Sequence, residues 1–185
     1  MKSDAEPIPA STDQPRVLVV DHNRTNLAVM TRRITEAGYR VTAAESGANA
    51  IAELHRKPVD LVLAELYMPH IDGAELTSAI RSQAPWRDLP VMLITGKSAP
   101  SGAVRAYEAG ADDVILKPFH FEVLIARIAR RLARVRSIHV LREDNAALDA
   151  RIVTRAIELG EMRERWLTAE TERQRLAALV ERDQA

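Results

Sequence analysis

The chain has 185 residues, 46% hydrophobic and 28% charged, with 26 Lys and Arg against 26 Asp and Glu and so a formal net charge of zero. That length holds one packed domain plus an appendage, and the charge balance excludes a nucleic-acid binder relying on bulk positive charge. The absence of cysteine excludes a disulfide framework, a thiolate nucleophile and a cysteine-ligated zinc site, and with no apolar run of membrane-spanning length a soluble, cytoplasmic protein with no membrane partner is expected.

Residues 1–15, MKSDAEPIPASTDQP, are polar and proline-punctuated and predict a disordered leader. "RVLVVD" (16–21) is a nearly continuous β-branched run, as expected of a strand covered on both faces. Helical spacing of Leu27, Met30 and Ile34 predicts a helix over 24–37 that stops at Gly38. "YRVTAA" (39–44) is a second strand, and Ser46 N-caps a helix containing Ile51 and Leu54. "VDLVLAE" (59–65) is the third strand, followed by a helix from Gly73 to Gln83 and a fourth strand, "LPVMLIT" (89–95). A helix over 101–109 stops at Gly110, and "DVILK" (113–117) is the fifth strand. Repeated βα units imply a parallel sheet with helices on both faces. Ligands in such sheets sit beyond the carboxyl ends of the strands, which singles out Asp21, His22, Glu65, Thr95 and Lys117.

From Phe119 to Asp183 the chain has no proline and a single glycine, Gly160. Heptads counted from Ile138 put Ile138, Asn145, Ile152, Leu159, Trp166, Arg173 and Val180 at a, and Leu141, Leu148, Arg155, Met162, Ala169, Leu176 and Asp183 at d. The narrow apolar seam with charged flanks predicts a coiled coil rather than a helix folded back on its own domain, which would present a broader stripe. Asn145 at an a position favours a two-stranded parallel pair. Arg155, Arg173 and Gly160 are weak points in the seam. The expected dimer contacts are Ile138, Leu141, Asn145, Leu148, Ile152, Leu159, Met162, Trp166, Leu176 and Val180.

"VLVVDHN", "DLVLAELYMPHIDG", "LPVMLITGKS" and "RAYEAGADDVILKPF", in this order and spacing, make residues 16–134 resemble the receiver domain of two-component response regulators. The resemblance implies a flavodoxin-like α/β fold, a doubly wound five-stranded parallel sheet of order 2-1-3-4-5, with residues 135–185 as a coiled-coil connector. It also implies an acidic pair after the first strand, a phosphoacceptor Asp ending the third, a switch hydroxyl ending the fourth and a Lys ending the fifth. Carboxylates there hold Mg²⁺ while Lys adds positive charge against the phosphoryl oxygens. Asp21, Thr95 and Lys117 match this pattern. His22 replaces the second acid, Glu65 stands at the phosphoacceptor position, and Val114 replaces the aromatic switch residue.

Each departure has a physical consequence. His22 removes a hard oxygen ligand, leaving Asp21 and Glu65 as the metal-ligand candidates and Mg²⁺ binding impaired. Glu65 carries its carboxylate roughly 1.5 Å further out, toward Lys117 and Thr95, where a misplacement of about 1 Å costs on the order of 10²-fold in rate. Val114 removes the ring whose burial reports activation in the family. The plainer readings are a Glu65–Lys117 ion pair under the loops, a solvent-facing His22, an Asp21 that balances Lys117, and a Thr95 that caps a helix.

The leading expectation is a non-enzymatic signalling module that dimerises in parallel through the coiled coil, with Glu65 as a phosphomimetic substitute for the acceptor Asp. A sensor histidine kinase and a downstream output domain or protein are the partners the resemblance implies. The alternative is a conventional phosphorelay regulator lacking its output domain: "RIVTRAIELGEMRERW" and "ETERQRLAALVERDQ" are similar to connectors preceding cyclic-di-GMP phosphodiesterase domains of the HD-GYP type. The third class is a DNA-binding regulator. The tail has no helix-turn-helix pattern, and Arg127, Arg130, Arg131, Arg134 and Arg136 read as a solvated face, so nucleic acid is not an expected partner.

Overall fold

A computed structural model describes residues 14–96 and 100–183. The expected leader, apart from Gln14 and Pro15, lies outside the described residues. The elements are β1 (Arg16–Val20), α1 (Arg24–Glu36), β2 (Arg40–Ala44), α2 (Gly47–Arg56), β3 (Leu61–Glu65), α3 (Gly73–Ser82), a 3₁₀ turn (Ala84–Trp86), β4 (Val91–Thr95), α4 (Pro100–Glu108), β5 (Asp113–Leu116) and α5 (Phe121–Asp183). The five strands form one parallel sheet in the order β2-β1-β3-β4-β5. This is the flavodoxin-like, doubly wound arrangement that the receiver resemblance implied, with a long C-terminal helix.

Side-chain alternation along the strands explains both layers. Leu18, Val20, Val62, Ala64 and Leu93 face α2, α3 and α4 through Ala50, Leu54, Leu76, Ile80 and Ala106. Val17, Val19, Leu61, Leu63, Met92 and Ile94 face α1 and α5 through Leu27, Met30, Ile34, Leu124, Ile128 and Leu132. The central strands β3 and β4 are buried along their whole length, whereas β2, at the sheet edge, is only partly covered. The near-unbroken apolar runs of the central strands follow from burial on both faces.

The caps hold the entries to the strand tips in place. Asn23 accepts from the backbone N–H groups of Thr25 and Asn26 and starts α1. Ser46 accepts from Asn49 N at 3.2 Å and starts α2, as expected. Asp72 and Glu75 form a reciprocal capping box on α3. Gly38 and Gly110 adopt positive φ after α1 and α4, in keeping with their expected role as stops.

Contacts divide the chain into a unit ending at Val135 and a second comprising Arg136–Ala185. Within the second unit the described residues are helical. Of the expected dimer contacts, Ile138, Leu141, Leu148, Ile152, Leu159, Met162 and Trp166 are exposed large hydrophobics, and Asn145 is exposed too. The side chains of Leu176 and Val180 lie outside those described.

Candidate functional site

Parallel pairing brings the predicted residues to one end of the sheet. Asp21 directly follows β1, Glu65 and Thr95 are the last residues of β3 and β4, and Lys117 directly follows β5. Backbone bonds fix their relative heights: Lys117 N donates to Thr95 O at 2.7 Å, and Leu66 N donates to Ile94 O at 2.7 Å. The Lys117–Pro118 peptide is cis.

Asp21 is fully buried. Its Oδ1 accepts from Asn23 N at 2.8 Å, and His22 Nδ1 lies 3.8 Å from the same oxygen. Asp21 Oδ2 is buried without a hydrogen-bond partner. The His22 side chain is 47% exposed, so it faces solvent at the rim of the pocket. Glu65 is buried, and its Oε2 accepts a hydrogen bond from Lys117 Nζ in a close ion pair. Burial pushes the Glu65 carboxyl above its ordinary range. The hydrogen bond and charge of Lys117 oppose that shift, Asp21 reinforces it, and His22 opposes it more weakly.

Thr95 is buried at the end of β4. Thr95 lies within β4 as its last residue and so is not a helix cap; the helix-cap reading is corrected. Val114 is buried in the core, so no aromatic ring stands at that position. Lys117 pairs with Glu65, and no ion pair between Asp21 and Lys117 occurs among the described residues.

The donor set fits Mg²⁺ poorly. The unpartnered Asp21 Oδ2 offers one hard oxygen. Glu65 Oε2 is engaged by an ammonium group, and imidazole stands at position 22 where an oxygen ligand is wanted. No group of three or more His, Cys, Asp or Glu side chains suited to a metal ion occurs among the described residues. What the arrangement does hold is a part-buried ion pair, Glu65–Lys117, beside a fully buried Asp21.

Three features at this end were absent from the sequence reading. Asp72 Oδ2 lies 2.7 Å from Arg105 Nη1, tying the start of α3 to α4. A Cβ at Gly102 would stand 2.9 Å from Tyr67 Oη and 3.5 Å from Thr95 Oγ1, so the Tyr67 and Thr95 hydroxyls both approach α4. His70, not a glycine, takes the left-handed conformation in the β3–α3 turn, at φ 64°. The Asp72-x-x-Glu75 spacing was the signal that could have located the cap. The cross-element contacts of Arg105 and Tyr67 leave no local pattern.

Comparison with known proteins places this geometry. A sequence model described as the response regulator receiver domain matches residues 17–129. The "Probable cyclic di-GMP phosphodiesterase" of Vibrio cholerae is 33% identical over 151 residues, 82% of this chain and 34% of that protein. Transcriptional regulatory protein PrrA of Mycobacterium bovis is 35% identical over 120 residues, 65% of this chain and 51% of that protein. Among solved structures, the signal receiver domain of a signal transduction histidine kinase from Syntrophus aciditrophicus superposes with a TM-score of 0.62 at 32% identity, covering 65% of this chain and 92% of that one. The chain thus spans between about a third and a half of the length of these curated relatives.

Proposed function

This chain belongs to the response regulator receiver family of two-component signalling, and from that premise we propose a receiver module that works as a parallel homodimer without Mg²⁺-dependent aspartyl phosphorylation. The observation that carries this reading is the Glu65–Lys117 ion pair at the strand tips. The charge of Lys117 is already matched by the Glu65 carboxylate, and Glu holds that carboxylate one methylene further out than an acceptor Asp would. Glu65 acts as an imperfect phosphomimetic, offering one negative charge and two oxygens where a phosphoryl group brings nearly two charges and three oxygens. Residues 16–134 are the receiver, and residues 135–185 carry its state as a coiled coil. Receiver domains of this family interact with sensor histidine kinases and output domains, and a kinase that docks here would do so without a conventional acceptor.

The test is incubation with acetyl phosphate and Mg²⁺, followed by intact-mass measurement. The wild-type chain gains no phosphoryl group. The double variant His22→Asp/Glu65→Asp, which restores the acidic pair and the acceptor Asp, serves as the positive control. A stoichiometric gain of one phosphoryl group on wild-type Glu65 overturns the reading.

A second reading is favoured by one observation. The match to the Vibrio cholerae protein covers 151 residues, more than the chain contains through Arg134, so it reaches into α5. This supports a receiver-plus-connector whose output is a phosphodiesterase domain, as that relative's name describes for itself. A gene sequence encoding an HD pair and a GYP triplet downstream of these residues would establish it. A downstream sequence without them would leave protein–protein contact as the output.

A further inference from the structure

We infer that the β3–α3 connection is a bracket that holds α4 in its seat, through an ion pair from Asp72 and the phenol of Tyr67. The need for such a bracket follows from how little apolar surface α4 buries. Among the described residues of α4, Ala106 is the only fully buried hydrophobic side chain, and Ala103 packs partly against the core. Val104 and Tyr107 are exposed. By contrast, α3 buries Leu76 and Ile80 completely. A helix anchored by alanine methyls opens more readily than its neighbours, because local stability follows buried apolar contact.

The bracket is stiff because its two ends meet. Gly73 N donates to Leu66 O at 2.8 Å, closing the connection into a loop, and glycine at 73 lets α3 start against the Glu65 and Leu66 backbone. Asp72 divides its carboxylate between two helices. Its Oδ1 accepts from Ala74 N at 3.0 Å and Glu75 N at 2.9 Å, which caps α3. Its Oδ2 lies 2.7 Å from Arg105 Nη1 on α4. The Asp72 side chain is 15% exposed against 46% for Arg105, so the pair is sheltered on its carboxylate side and screened less than a fully solvated one.

Tyr67 and Leu66 supply the second tie. A Cβ at Gly102 would stand 2.9 Å from Tyr67 Oη, 3.4 Å from Leu66 Cδ2 and 3.5 Å from Thr95 Oγ1. Helix α4 therefore approaches the connection at a residue without a side chain, beside the buried Thr95. The bracket begins directly after Glu65, so α4 is seated from the strand that carries the pocket carboxylate. It stands on contacts of its own, whether or not Glu65 works as a phosphomimetic.

Amide hydrogen exchange of the full chain, read by mass spectrometry on peptides from α4 against peptides from α1 and α3, tests this. Asp72→Asn keeps the α3 cap, since asparagine caps as well as aspartate, and removes only the charge facing Arg105. Asp72→Asn and Arg105→Ala should each speed exchange in α4 about threefold or more, with α1 and α3 unchanged. The double variant should match either single one, because both remove the same pair. Added salt should speed α4 in the wild type but not in Arg105→Ala. Tyr67→Ala should also speed α4, and an unchanged rate there would overturn the second tie. The bracket as a whole is overturned by any of four results: unchanged α4 exchange in Asp72→Asn and Arg105→Ala, equal acceleration in all three helices, additive effects in the double variant, or a salt effect that persists in Arg105→Ala.

Discussion

Glu65 concentrates the chemistry of the pocket in one side chain. Its folded pKa is raised above 4.5 mainly by burial, so the folded state favours the protonated form more than the unfolded chain does. Its contribution to stability is therefore fully present below the unfolded pKa and is lost as pH rises through the folded pKa. As pH rises above the ordinary carboxylate range of about 4, the urea midpoint of the wild type should fall relative to that of Glu65→Gln, whose residue 65 does not titrate. Parallel midpoint profiles for the two proteins would contradict the assignment. The pairing of Glu65 with Lys117 was legible in the sequence, because strand tips in a parallel sheet converge and both residues end predicted strands. The fate of Asp21 was not. Its Oδ1 is taken by the Asn23 backbone and its Oδ2 is left unpartnered, details set by the local turn rather than by residue spacing.

The β3–α3 connection shows how an element positions that residue. Pro69 and Gly73 mark a turn in the sequence, but the left-handed backbone falls at His70, a residue type that tolerates it. Gly73 serves close approach instead: a Cβ there would stand 2.5 Å from Glu65 O and 2.9 Å from Leu66 Cα. These are backbone atoms that cannot swing aside, so Gly73→Ala should destabilise the fold by about 1–3 kcal/mol, read as a lower urea midpoint. An unchanged midpoint would show that α3 can shift without loss. The existence of the strands was readable from their apolar runs, whereas their order came from the receiver resemblance. Their ends were not readable. The second, third and fourth predicted strands each begin one or two residues too early, since Tyr39, Val59 and Leu89 lie just outside the ladder while still packing against the core. The 3₁₀ turn at Ala84–Trp86 was missed because its apolar Trp86 packs on the core without any helical period. In α5, Leu124, Ile128 and Leu132 follow the core-facing period, and the described residues of the seam beyond them are exposed. Asn145→Leu in that seam should strengthen self-association, seen as dissociation at lower concentration in analytical ultracentrifugation, while admitting higher oligomers. Weaker association would place Asn145 outside the seam.

At the scale of the whole molecule, the two units divide the work. The receiver unit carries a pocket whose lysine is matched by a carboxylate. The helical unit carries an exposed row of Leu141, Leu148, Ile152, Leu159, Met162 and Trp166, more apolar surface than a solvated helix needs. The receiver was recognisable from four dispersed segments read together, whereas the partner of the helix was not, because heptad patterns report that a seam exists and say little about what fills it. On this account dimerisation belongs to the helix, and the state of the pocket is set by Glu65 rather than by phosphoryl transfer. Light scattering on the full chain at tens of micromolar, with and without acetyl phosphate and Mg²⁺, tests both parts together. The account predicts a mass near twice the 20.6 kDa of one chain under both conditions. A monomer under both conditions, or a dimer that forms only after acetyl phosphate is added, would contradict it.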